Sequence, residues 1–179
     1  MEPDNDTTAL VVTEAQIPPA TLFRTDDPTE IVERASKVAA ALHDVIEKQK
    51  LFTQIGLTKH VRVEGWTLCG SLLGVFPVLV WSRPLEGGGW EARVEARMRD
   101  GAIVGAAESQ CSRKERTWAN REDYALRSMA QTRATSKALR QPLGFIVSLA
   151  GYDPTPSEEL HDEDRERISE TPATKEALS

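Results

Sequence analysis

Trp90-Glu91-Ala92-Arg93-Val94-Glu95-Ala96-Arg97-Met98-Arg99, followed at once by Asp100-Gly101, decides the fold. Trp90, Ala92, Val94, Ala96 and Met98 alternate with Glu91, Arg93, Glu95, Arg97 and Arg99, and a period of two belongs to a strand with one dry and one wet face. Asp100-Gly101 is a strong hairpin signal, so Ala102 to Gln110 should return as the partner strand. Upstream, Phe76 to Trp81 reads as another strand, joined through the flexible turn Glu86-Gly87-Gly88-Gly89. The expected result is an antiparallel three-stranded β-meander, apolar on one face and charged on the other.

That apolar face needs a cover. A long helix is expected from about Glu122 to Gln141, stopped by Pro142 and Gly144. Ser128, Ala130, Thr132, Ala134, Thr135, Ser136 and Ala138 make it unusually small-sided, which permits close approach to a sheet or a second protomer. Leu143 to Leu149 is a short apolar run, a strand or a buried turn. Asp27-Pro28-Thr29-Glu30 opens an earlier helix with a cap, a proline suited to the first turn and a possible capping box. Ile31, Ala35, Val38, Leu42, Val45 and Ile46 carry that helix to about Lys50. Val61-Arg62-Val63 is a short alternating piece, and Thr67 to Leu73 a short helix closed by Gly74. The fold class is therefore α+β: a meander packed on a long helix, with an N-terminal helix before it. Residues 1–26, with Ile17-Pro18-Pro19, are expected to be a flexible arm. Residues 27–152 form a single nucleic-acid-binding domain, and 153–179 an acidic disordered tail.

The 179 residues are 40% hydrophobic and 28% charged, ordinary for a globular chain. No apolar run reaches the roughly 18 residues of a membrane span. The acidic start lacks the order of a signal peptide, and Cys69 and Cys111 are too few for a disulfide framework, so a cytoplasmic protein is expected. Net charge is −6 over the whole chain, but −6 for residues 1–48, +6 for 49–152 and −6 for 153–179. A basic middle between acidic ends points to a polyanion partner, or to acidic flanks that keep a mildly basic core soluble.

Catalytic signatures do not emerge. The chain has no phosphate-binding loop ending in Gly-Lys-Ser/Thr and no dinucleotide fingerprint. It also has no Gly-x-Ser-x-Gly elbow. His43, His60 and His161 are not at metal-ligand spacing; they read as an exposed helix residue, a loop residue and a tail residue. No lysine follows an acid by two positions, the arrangement a metal nuclease favours. Glu91 and Glu95 share a face with arginines and read as cross-strand partners. No catalytic residue, metal or cofactor is expected.

The informative segment is Arg113 to Arg140, with Arg113, Lys114, Arg116, Arg121, Arg127, Arg133, Lys137 and Arg140. Arg133, Lys137 and Arg140 fall on one narrow helical stripe. Three adjacent like charges repel unless an anion lies along them, and a phosphate backbone is such an anion. The alternative is a solvated helix face. Arg93, Arg97 and Arg99 on the charged strand face could form the other wall of a groove. Trp66, Trp81 and Trp90 read as core, whereas Trp118, in the basic connection, is a candidate for stacking on a base or for packing under the loop.

A meander, a basic connection and a helix ending Ala130-Gln131-Thr132-Arg133-Ala134-Thr135-Ser136-Lys137-Ala138-Leu139-Arg140, with Leu143-Gly144 after it, resemble the single-strand annealing proteins of phage recombination. These are the Erf-like group and their eukaryotic annealing relatives. Val63-Glu64-Gly65-Trp66 is similar to the entry to that family's short helix, and the likeness spans about residues 28–152. It implies ATP-independent annealing of complementary strands by a ring or filament of identical subunits. Single-stranded DNA would lie in a basic groove between sheet and helix. On this chain the groove residues would be Lys137 and Arg140, with Arg133 one turn earlier. Arg97, Arg99, Arg113, Lys114, Arg116, Arg127 and Trp118 complete the expected DNA-binding set by charge and position. A recombination exonuclease or a single-strand binding protein would be further partners, and no membrane is involved. The rival readings are a protein-interaction module of a mobile element, a plain strand-coating protein, and a nuclease using Glu91, Glu95 or Glu108.

Overall fold

A computed structural model describes residues 21–160. The first helix, α1 (Pro28–Gln49), starts as its sequence dictates. Asp27 caps it by accepting from the backbone N–H of Thr29 at 2.8 Å and of Glu30 at 3.4 Å. Glu30 does not close a capping box; its carboxylate accepts from the Thr25 hydroxyl at 2.6 Å and pairs with Arg34. Ala35, Ala39, Leu42 and Ile46 form the buried stripe.

A two-stranded hairpin that the sequence reading did not anticipate comes next, β1 (Phe52–Ile55) and β2 (Thr58–Val61), turning at Gly56 with φ 60°. His60 is therefore on a strand, buried, with Nδ1 3.1 Å from the Thr155 carbonyl oxygen. Helix α2 (Val63–Leu73) begins four residues earlier than expected and ends, as expected, at Gly74 in the left-handed region. Trp66 and Cys69 are fully buried on it, and the Trp66 indole N–H donates to the Val61 carbonyl at 3.1 Å.

Strands β3 (Val75–Pro84), β4 (Gly89–Met98) and β5 (Ile103–Ser112) form the expected antiparallel meander in that order. Ala92, Val94 and Ala96 face inward and are buried. Across them lies α3 (Asp123–Leu149), whose Ala130, Ala134 and Ala138 are fully buried. The approach is close: a Cβ on Gly105 would stand 2.6 Å from the Ala138 carbonyl oxygen and 3.0 Å from the Pro142 ring. Small residues on both surfaces thus set the spacing of helix and sheet.

Four expectations are corrected here. α3 does not stop at Pro142 but runs on to Leu149. An internal proline costs about 3 kcal/mol, and burial of Leu143, Ile146 and Val147 opposes that cost. Trp81 is not core; it lies half-buried on the sheet face away from α3, with the Arg83 guanidinium 4.2 Å from its ring centroid. The domain does not end at residue 152. After Gly151 the chain folds back, the Asp153 N–H donates to the Lys59 carbonyl at 3.1 Å, and Pro156 and Ser157 are buried ahead of a 3-10 turn, Ser157–Glu159. Of the arm expected over 1–26, residues 21–26 pack on the fold, with Phe23 buried and its carbonyl accepting from Arg34 at 2.7 Å; residues 1–20, and the tail expected over 153–179 from 161 on, with His161, lie outside the described residues.

Candidate nucleic-acid interface

The expected stripe on α3 is not an open row of cations. Arg133 is 7% exposed. Its guanidinium donates to both carboxylate oxygens of Glu115, at 3.0 and 2.7 Å, and to the carbonyls of Gln110 at 2.8 Å and Glu158 at 3.1 Å. A planar fork on a carboxylate is the strong form of an ion pair. Here it ties α3 to β5, to the basic connection and to the 3-10 turn. The expectation of an open Arg133 is corrected: four of its five N–H groups are already used inside the fold.

Arg140, one face along, donates to Glu159 Oε2 at 3.0 Å and remains about a third exposed. Lys137, between them, has no ion-pair partner among the described residues. It lines a cleft of about 460 Å³ bounded by β5, the connection, α3 and the 3-10 turn. Lys114 lines the same cleft from the connection, exposed and likewise without an ion-pair partner among the described residues. Glu108, Glu115, Glu158 and Glu159 also line it. The Glu158 carboxylate accepts from the Val63 N–H at 2.8 Å and so caps α2, and burial pushes its pKa above the usual carboxylate range.

The remaining expected residues separate into two groups. Arg113 is structural: it donates to the Arg121 carbonyl at 2.8 Å and holds the connection closed. Trp118 is half-buried against the core, so packing under the loop accounts for it. Arg116 lies exposed on the connection. Arg127 is exposed, its guanidinium 5.1 Å from the Trp90 ring, while the Trp90 indole N–H donates to Asp123 at 2.8 Å. Arg97 and Arg99 are on the sheet side, away from α3. Arg97 pairs with Glu95 at 2.7 Å and holds that carboxyl below its usual range. Arg99 is exposed, 6.0 Å from the Phe76 ring.

That open sheet face is the second basic surface. Phe76 and Trp81 of β3 stand beside a charged ladder on β4, and each ring has an arginine against it. Arg83–Glu91 is the cross-strand pair expected of Glu91, at 2.5 Å, and Arg93–Glu108 is a second at 3.0 Å; Glu95, expected to pair across strands, instead meets Arg93 and Arg97 of its own strand. Sequence reasoning missed the aromatic half of this face because Phe76 and Trp81 sit in an apolar run whose facing cannot be read locally. It missed Glu115, Glu158 and Glu159 because each meets its arginine only through the tertiary fold. The pair Pro154 and Pro156 just ahead of the two glutamates was the available signal for an ordered turn.

Among the described residues no group of three or more His, Cys, Asp or Glu side chains is placed to hold a metal ion, and no helix is long and apolar enough to cross a membrane. Comparisons with protein-family models, with curated proteins and with solved structures found no match.

Proposed function

We propose that this chain binds single-stranded DNA and anneals complementary strands without nucleotide hydrolysis, as a homo-oligomer in phage-type recombination. The observation that carries the reading is the cleft between β5 and α3, where Lys137 and Lys114 have no ion-pair partner among the described residues although Glu108, Glu115, Glu158 and Glu159 share the lining, with Arg140 next along α3 on Glu159. An extended backbone laid along it would neutralise these cations and release counterions. Arg99 with Phe76 and Arg83 with Trp81 on the open sheet face offer stacking surfaces to unpaired bases, which tolerate any sequence. The face is not strongly basic, because Glu91, Glu95 and Glu108 each engage an arginine. Affinity per subunit is therefore modest, and assembly multiplies it.

The surface for assembly is the free edge of β3. Phe76, Val78, Leu79 and Val80 are all exposed there, on a strand of 10 residues. Pro77, Pro84 and the register shift at Leu79/Trp81 interrupt backbone pairing along it, so another copy would be met by these exposed apolar side chains. The same edge favours a second reading, a protein-interaction module with a foreign partner. The experiment that separates them mixes the full chain with labelled complementary oligonucleotides, free of nucleotide and at rising salt. Faster duplex formation and salt-sensitive binding support annealing. Binding with slower pairing indicates a coating protein, and no salt-sensitive binding leaves the interaction module.

A further inference from the structure

Glu159 ends the 3-10 turn with Oε2 on the Arg140 guanidinium at 3.0 Å, inside the cleft that Lys137 also lines. Its other oxygen, Oε1, is buried and has no hydrogen-bond partner among the described residues. The anchors of the turn are separate from this carboxylate. Pro156 is fully buried, the Ser157 hydroxyl donates to Thr53 Oγ1 at 2.7 Å, and Glu158 takes the Val63 N–H on its side chain and the Arg133 Nε–H on its carbonyl. Glu159, itself a cleft-lining residue, is thus an anion delivered by a fixed turn to Arg140, yet only half paired. Glu158 Oε2 is likewise buried and unpartnered among the described residues, but its other oxygen caps α2, whereas Glu159 holds only the part-exposed Arg140 guanidinium, a pair that a competing anion can replace. A phosphodiester presents two non-bridging oxygens and can meet Arg140 with one while the other reaches for Lys137.

We propose that Glu159 is a resident stand-in for one backbone phosphate: it fills the Arg140 position of the strand path and is displaced when single-stranded DNA enters the cleft. The proposal rests on the cleft being the DNA path. It explains why a domain with a basic centre keeps two consecutive acids folded onto that centre. A lone phosphate or a nucleotide gains too little to displace a tethered competitor, whereas a continuous polyanion, held by neighbouring contacts, can.

The test uses the full chain and a fluorescent oligothymidylate, with anisotropy read across a salt titration. E159Q should bind more tightly at low salt, by about fivefold, the scale of losing one part-exposed ion pair. The slope of log K against log salt should stay close to that of the wild type, because the phosphate at Arg140 is met in both once Glu159 has moved aside. Unchanged or weaker binding by a folded E159Q overturns the proposal. K137A/R140A separates the two levels: if that pair of changes leaves binding untouched, the cleft is not the DNA path and both fall. If it abolishes binding while E159Q behaves as wild type, only the stand-in falls. Should E159Q fail to fold, NMR of the wild-type chain decides. The resonances of the Glu159 carboxylate and the Arg140 guanidinium should both shift when oligothymidylate is added; a Glu159 carboxylate left unmoved at saturation would overturn the proposal.

Discussion

The two edges of one small sheet are treated in opposite ways. On β5, α3 and the connection reach over the edge. The Gln141 side chain takes both the Ala106 N–H at 3.1 Å and its carbonyl at 2.6 Å, Arg133 takes the Gln110 carbonyl, and Glu115 accepts from the Ser112 N–H at 2.8 Å. A side-chain amide that donates and accepts at one residue imitates a neighbouring strand. On β3 no side chain among the described residues does the same. That edge carries two prolines, a register shift between Leu79 and Trp81, and exposed apolar side chains. Proline and bulge are ways of blunting an edge without covering it. The lesson is that only one side of this sheet is finished within the chain.

The largest expected effect breaks that asymmetry at the open edge. V78K/L79K places charge on two exposed positions, so the fold should change by no more than about 0.5 kcal/mol. Self-association, read by light scattering with and without oligothymidylate, should collapse to the monomer. A wild-type chain that is monomeric under both conditions removes the annealing-ring reading outright. Next comes the closed edge. Arg133→Ala takes the guanidinium from two carbonyls and from Glu115, which keeps the Ser112 N–H, and should cost about 1–3 kcal/mol in urea unfolding. A near-neutral Arg133→Ala would mean that the ion pair does not hold the edge closed. Smaller still, Gln141→Ala uncovers one residue of β5 and should cost about 1 kcal/mol. It should also raise concentration-dependent association, because a second edge becomes available; stability lost with no added association would show that the cover is structural only.

How much of this was legible depended on whether a residue's partner was near in sequence. The alternation from Trp90 to Met98 is local, and it gave the meander, its dry face and a cross-strand arginine for Glu91, though Glu95 pairs within its own strand. Asp27 capping α1 is local too. The β1–β2 hairpin was not visible because Thr53, Gln54, Thr58 and Lys59 are polar and half the ladder is not buried, so no clear period of two is written there. Pro142 misled because a propensity rule was outweighed by the burial of Leu143, Ile146 and Val147. Arg133 misled most. Its spacing with Lys137 and Arg140 gave the right helix face, but Glu115 lies 18 residues away. Only the path of the connection brings that carboxylate under the helix. A row of like charges can be relieved from inside the fold as well as by an outside polyanion, and spacing alone does not choose between them.

The last and smallest effect sets two carboxylates of the two regions against each other through pH. Glu95, on the open sheet face, is held below the usual carboxylate range by hydrogen bonds from Arg97. Its folded pKa is depressed, so its contribution is present above the unfolded pKa and is lost as pH falls through the folded one. Glu158, in the cleft, is pushed above that range by burial. Its contribution is present below the unfolded pKa and is lost as pH rises through the folded one. Glu158→Gln keeps an oxygen for the Val63 N–H and removes the titration. The stability of E158Q relative to wild type should therefore improve as pH rises from about 4, the unfolded carboxylate range, toward neutrality. Glu95→Gln should show the reverse, losing ground to wild type over the same climb. Thermal melts at matched ionic strength read both. If the two differences moved in the same direction with pH, the contrast between a carboxylate held by arginines on the sheet and one that caps a helix in the cleft would fail.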